Sequence, residues 1–151
     1  MSSKAESAEL ILKLYELRRE PVMRQARDWF FGFNPASIQD ILDTVYGERS
    51  AYYRMVTSYW DMAASFVNHG AIDEQMFTDA HGEHMIVFAK LEPFLAEIRE
   101  VSKAPQYLRH LEDLVMRMPD AAERLPIIRE RMKQMAEKMA EKRSAAAGDA
   151  S

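Results

Sequence analysis

The stretch ERSAYYRMVTSYWDMAASFVNH, Glu48 to His69, closed by Gly70, constrains this chain more than any other. At helical spacing Tyr52, Met55, Val56, Tyr59, Ala63, Phe66 and Val67 form one stripe, while Tyr53, Trp60 and Ala64 put apolar surface on a second face. A helix apolar on more than one face is usually surrounded by other helices. We read it as a central helix that organises a core, and nothing in it requires catalytic chemistry.

The flanking chain reads as more helices. Glycine is scarce, at 5 residues, and no Asn-Gly or Asp-Gly turn separates alternating apolar runs, so hairpin signals are absent. Ser3 with Glu6 forms a capping box for a first helix carrying Leu10, Ile11, Leu14 and Leu17. Pro21 is suited to the first position of a second helix, which ends in the aromatic run Trp29 to Phe33. Asn34-Pro35 repeats the start signal for a helix with Ile38, Ile41, Leu42 and Val45, stopped by Gly47.

After Gly70, Phe77, Ala80, His84, Phe88 and Leu91 keep one stripe across Gly82, which predicts a single helix from Asp73 with a weak point at the glycine. Pro93 must bend or break it by removing the hydrogen bond to Ala89. Pro105 is expected to start a helix with Tyr107, Leu108, Leu111 and Leu114, and Asp120 with Glu123 gives a second capping-box pattern before Pro126. In the last helix Ile128, Met132, Met135 and Met139 follow a 4, 3, 4 spacing among charged and alanine residues, a narrow coiled-coil-like seam too short to specify a coiled coil.

The expected fold is all-α, an irregular bundle of about seven or eight helices around the central apolar helix (48–69). Residues 1–143 form the domain, with 121–143 as a charged C-terminal helix either packed or protruding, and 144–151 as a disordered tail. A chain of 151 residues buries roughly 68–70% of its unfolded surface, enough for a core without staples. With no cysteine, disulfides, thiolate nucleophiles and cysteine-bound metals are excluded. The N-terminus carries charges where a signal peptide needs an apolar run, and no stretch approaches a membrane span, so a cytoplasmic setting is the default.

Chemistry is sparse. His81 and His84 lie three apart, on one helical face with Glu83 nearby, and would be the metal ligands if any exist. The HExxH and paired ExxH patterns are missing, and a hydrogen-bonded core histidine accounts for His84 on an apolar stripe. No nucleophile elbow, phosphate loop or dinucleotide fingerprint occurs, so no cofactor and no enzymatic activity is expected. A formal net charge of −4 and the acids Asp40, Asp43 and Glu48 argue against nucleic acid, even though Ser37 to Trp60 loosely follows a helix-turn-helix outline. The last helix has an excess of bases opposite its Met seam but lacks aromatics, which leaves at most weak peripheral membrane contact.

YWDMAASFVNHGAIDEQMF (Tyr59 to Phe77), FAKLEPFLAEIRE (Phe88 to Glu100) and LYELRREPVMRQARDWF (Leu14 to Phe30) resemble a family of bacterial all-helical proteins known only as a domain of unknown function. The resemblance spans about the first two thirds of the chain. It implies an all-helical fold and supplies no catalytic residue; some members carry transmembrane segments, which this chain lacks. The function expected from the residues is an interaction or assembly module that associates with itself. Trp29, Phe30, Phe31, Phe33, Tyr53, Trp60, Met132, Met135 and Met139 are the candidate contact residues. The alternative is a small-molecule or metal site near His81 and His84. If neighbouring helices close the Trp60 face, function falls to the C-terminal helix; if not, Tyr53 and Trp60 are the interface.

Overall fold

The computed structural model describes residues 2–150. Its helices are α1 (Lys4–Arg18), α2 (Pro21–Gly32), α3 (Ile38–Val45), α4 (Ser50–Asn68), α5 (Glu74–Ala80), α6 (Glu83–Leu91), α7 (Leu95–Ser102), α8 (Arg109–Met116) and α9 (Ala121–Asp149), with a 3-10 turn Glu92–Phe94 before α7. No strand occurs among the described residues, and the architecture is the expected all-α irregular bundle. Met1 and Ser151, the outer ends of the expected domain and tail, lie outside the described residues.

Several helix ends form as their residues dictate. Ser3 Oγ accepts from the Glu6 N–H at 3.1 Å and Glu6 returns to the Ser3 N–H at 3.3 Å, so the capping box is complete. Pro21 opens α2, and the Glu20 carboxylate caps it by accepting from Met23 at 2.8 Å. Gly70, at φ 81°, ends α4: Ala71 N–H reaches Phe66 O at 2.9 Å and Gly70 N–H reaches Val67 O at 3.0 Å. That pairing satisfies the last carbonyls of the helix and needs the left-handed residue that glycine supplies.

Other boundaries differ from the sequence expectation, each for a local reason. The helix expected to run through Gly82 is two helices, which raises the count among the described residues to nine. His81 leaves α5 in extended conformation (φ −135°, ψ 137°), and the break lets Phe77, His81 and His84 all pack on one indole. α3 is capped by Ser37 rather than Asn34: Ser37 Oγ accepts from Asp40 at 3.2 Å while Asp40 accepts from Ala36 at 2.8 Å. Pro105 begins no helix, because Leu108 adopts φ 55° to bury its side chain and α8 starts only at Arg109.

Asp120 does not cap α9 through its side chain, and Pro126 lies inside the helix instead of restarting it. The carbonyl that this proline leaves without a partner belongs to exposed Ala122, where water can satisfy it. The tail expected to be disordered continues α9 to Asp149. Ala145, Ala146 and Ala147 have the highest intrinsic helix propensity of any residue type, enough to carry the ladder onward.

The core surrounds α4. Its buried arc is Tyr53, Val56, Thr57, Trp60, Ala63, Ala64 and Val67, with Tyr59 beside it, so the true centre of the stripe is Trp60. Phe66, assigned to the stripe from spacing alone, points outward. α2 and α8 are the principal walls, and α3, α5 and α6 close the remainder. Trp29 stacks on Phe33 (4.9 Å, 19°), and Phe30 and Phe33 lie on Tyr53, so the aromatic run roofs the central helix.

Candidate functional site

Trp60 has no exposed surface, and its surroundings decide what the neighbouring histidines can do. Its indole N–H donates to Glu83 at 3.1 Å, while the Nε–H of Arg27 is shared between the two oxygens of the same carboxylate at 3.1 and 3.0 Å. Arg18 lies over the indole, 5.3 Å from the ring centre, and donates to the Tyr59 hydroxyl. His81 and His84 meet the remaining ring edges at 5.6 and 6.0 Å. Glu83 is thus occupied by structural partners.

His81 Nδ1 is 3.0 Å from the Phe77 carbonyl. A carbonyl only accepts, so Nδ1 carries the hydrogen and Nε2 presents a lone pair. That Nε2 and the Nδ1 of His84 are buried without hydrogen-bond partners. Burial pushes His81 below the ordinary histidine range, with Arg18 adding to the effect, and holds His84 at about 4, with His81 adding to it. Both rings are therefore neutral packing groups at neutral pH. No group of three or more His, Asp or Glu side chains suited to a metal ion occurs among the described residues. The acids that follow α4 are engaged elsewhere: Asp73 accepts from the Met76 N–H at 2.9 Å and Glu74 pairs with Arg117 at 2.7 Å.

The other expected contact residues separate into two groups. Tyr53, Trp60 and Phe30 are buried and Trp29, Phe31 and Phe33 half-buried, so of the two outcomes open to these rings the folded chain takes the one that covers the central helix. Met132 is also buried, on the body of the protein. Only Met135 and Met139 remain outward, each 41% exposed. The chain closes the Trp60 face by itself.

α9 lies against the body through Leu125, Ile128 and Met132. Arg129 fixes the docking, donating to Glu92 at 3.1 Å and to the Ala89 carbonyl at 3.0 Å. Ala89 is the residue whose carbonyl Pro93 cannot serve, so an arginine from α9 fills the vacancy that a proline in the preceding turn creates. Beyond half-buried Ala136 every described residue of α9 is exposed. At 1.5 Å per residue the free part extends about 20 Å. Around the helix, Arg131, Lys138, Lys142 and Arg143 border Met135 and Met139, whereas Glu130, Glu137 and Glu141 occupy the opposite side.

Lys90 is a residue that sequence reasoning passed over. It is almost wholly buried on α6, and its ammonium donates to the Phe30 and Phe31 carbonyls at 2.7 and 2.8 Å. Those carbonyls belong to the last turn of α2, so a cation sits at the negative end of a helix dipole. Burial lowers its pKa to about 8, with Glu83 opposing. A lone lysine within EHMIVFAKL was the available signal, because a charge inside an apolar helix needs a partner.

The chain belongs to the family described as Domain of unknown function (DUF4760), whose model matches residues 4–118. The match covers α1 to α8 and stops before α9. No curated protein and no solved structure matches the chain. Among the described residues no helix is long and apolar enough to cross a membrane.

Proposed function

We propose that this protein is a non-enzymatic helical assembly module that associates with itself, the free part of α9 from one copy docking on the body of another. The observation that carries the reading is the Met seam. It is buried at Leu125 and Met132, then continues past the edge of the body with Met135 and Met139 exposed. An isolated helix of this length is marginal in water, and its stability comes from packing an apolar face.

Charge selects the mode of docking. Two α9 seams laid together would bring Arg131, Lys138, Lys142 and Arg143 against their own copies, which opposes pairing seam to seam. The body is the better surface. α9 holds seven Lys and Arg against five Asp and Glu, leaving thirteen bases and nineteen acids in the rest of the chain. A basic-bordered helix and a net acidic body attract each other, and a reciprocal exchange closes as a two-fold dimer.

Sedimentation across a concentration series tests the reading. The weight-average mass should rise with concentration at low salt and fall towards the monomer at high salt, and Met135→Glu/Met139→Glu should be monomeric throughout. A wild-type chain that stays monomeric at high concentration and low salt overturns self-assembly. Binding to anionic vesicles in place of self-association would transfer the basic Met seam to a lipid surface.

A further inference from the structure

We propose that the cleft between α4 and the α7–α8 loop binds a small organic molecule with an apolar body and one anionic end. The cleft has a volume of about 400 Å³, within the range that encloses metabolite-sized and drug-sized ligands. Val45, Ile98 and Leu108 give it apolar walls. Tyr53 and Tyr107 also line it, and their hydroxyls are hydrogen-bonded to each other at 2.8 Å. Either hydroxyl can be the donor, so the pair can orient a ligand as donor or as acceptor.

The loop that forms one wall is fixed before any ligand arrives. Lys103 and Leu108, at φ 53° and 55°, are the two non-glycine residues with left-handed backbone among those described, and they bracket it. Lys103 has an ordinary cause, because it ends α7 and lets Ala104 N–H reach Arg99 O at 3.0 Å. Leu108 is different: a branched side chain is strained there, and the conformation persists because its neighbours hold it. Arg99 Nε donates to Tyr107 O at 2.9 Å and Arg109 to Pro105 O at 2.8 Å, and the Leu108 side chain is buried. A wall held this way lowers the ordering cost of binding.

The charges around the cleft set the polarity of the ligand. Asp61 is committed, since it accepts the Leu111 N–H at 3.0 Å and caps α8, whose own N-cap residue Leu108 offers no acceptor. Arg54 lines the cleft, is exposed, and its guanidinium has no ion pair or hydrogen bond among the described residues. The uncommitted charge is therefore positive. It matches an anionic ligand and disfavours the basic-bordered α9 of a second copy as the occupant.

Fluorescence titration of the full chain with two probes tests this. The probes are 8-anilinonaphthalene-1-sulfonate and N-phenyl-1-naphthylamine, which shares its rings but lacks the sulfonate. Both should saturate at one site. Arg54→Ala should weaken the sulfonate by about fivefold or more and leave the neutral probe within about twofold, in keeping with a single charge-assisted contact. Ser58→Trp, or Ser102→Trp if the first does not fold by circular dichroism, should abolish both by filling the cleft from an exposed position. Met135→Glu/Met139→Glu should change neither. No saturable binding, binding unaffected by the tryptophan variant, or loss in the methionine variant overturns the assignment; equal weakening of both probes by Arg54→Ala overturns its anionic part.

Discussion

α4 and α9 are the two long helices of this protein, and they solve opposite problems. α4 has 19 residues and buries eight of them, while α9 has 29 and buries three. α4 supplies two apolar faces and is enclosed by α2, α8 and the shorter helices. α9 supplies a one-residue-wide seam, uses its first part to dock on the body, and presents the remainder to solvent. One helix determines whether the chain folds. The other, on our proposal, determines what the folded chain meets.

The sharpest way to break this division is at its centre. Trp60→Ala should lower unfolding stability by about 3–5 kcal/mol in denaturant titration, because the indole is fully buried and Glu83 loses its N–H donor. A loss below about 1 kcal/mol would mean that the surrounding rings do not depend on it. The matched change in α9, Met135→Glu/Met139→Glu, should alter monomer stability by no more than about 0.5 kcal/mol while abolishing self-association.

Acid should act on α4's surroundings and spare α9. His84 titrates at about 4 in the folded protein, below the ordinary 6.5 of an unfolded chain. The folded state therefore binds fewer protons between those values, and stability is lost as pH falls from 6.5 towards 4. The full loss is on the order of 3 kcal/mol from this group. Urea unfolding at a series of pH values checks it, and His84→Phe should flatten the curve over that window.

Lys90 gives an intermediate effect. Lys90→Ala removes the donor to two carbonyls at the end of α2 and should destabilise by about 2 kcal/mol. Its lowered pKa, about 8, also has a sign: the unfolded chain keeps the proton to higher pH, so this group makes stability rise as pH goes from 8 towards 10.5. A smaller effect is expected at Gly47→Ala, in an exposed turn. A Cβ there would lie 2.5 Å from the Asp43 carbonyl oxygen, so the turn between α3 and α4 must shift. The expected loss is about 1–2 kcal/mol in thermal melting converted at Tm.

Much of the fold was legible because its signals are local. The capping box at Ser3, Pro21 at the head of α2, Gly70 behind α4 and the bend at Pro93 each depend on residues within one turn of chain. The misplacements have a common cause. Gly82 leaves the helical stripe intact on paper, but the break there is set by Trp60, Phe77 and two imidazoles meeting in space. Leu108 takes a conformation that no propensity favours because the core accepts its side chain. The candidate contact residues divided for the same reason, since an aromatic side chain reads alike whether a neighbouring helix covers it or not.

By itself the sequence determined the helical class, the central place of Glu48 to His69 and the distinct character of the last helix, since periodicity and capping are properties of neighbouring residues. Only the tertiary structure decided that Trp60 is enclosed, that Arg129 serves the carbonyl freed by Pro93, that Lys90 caps α2, and that the Met seam runs beyond the body. Each of these depends on which distant groups come within a few ångströms, and burial and hydrogen bonding act over that distance whatever the separation along the chain.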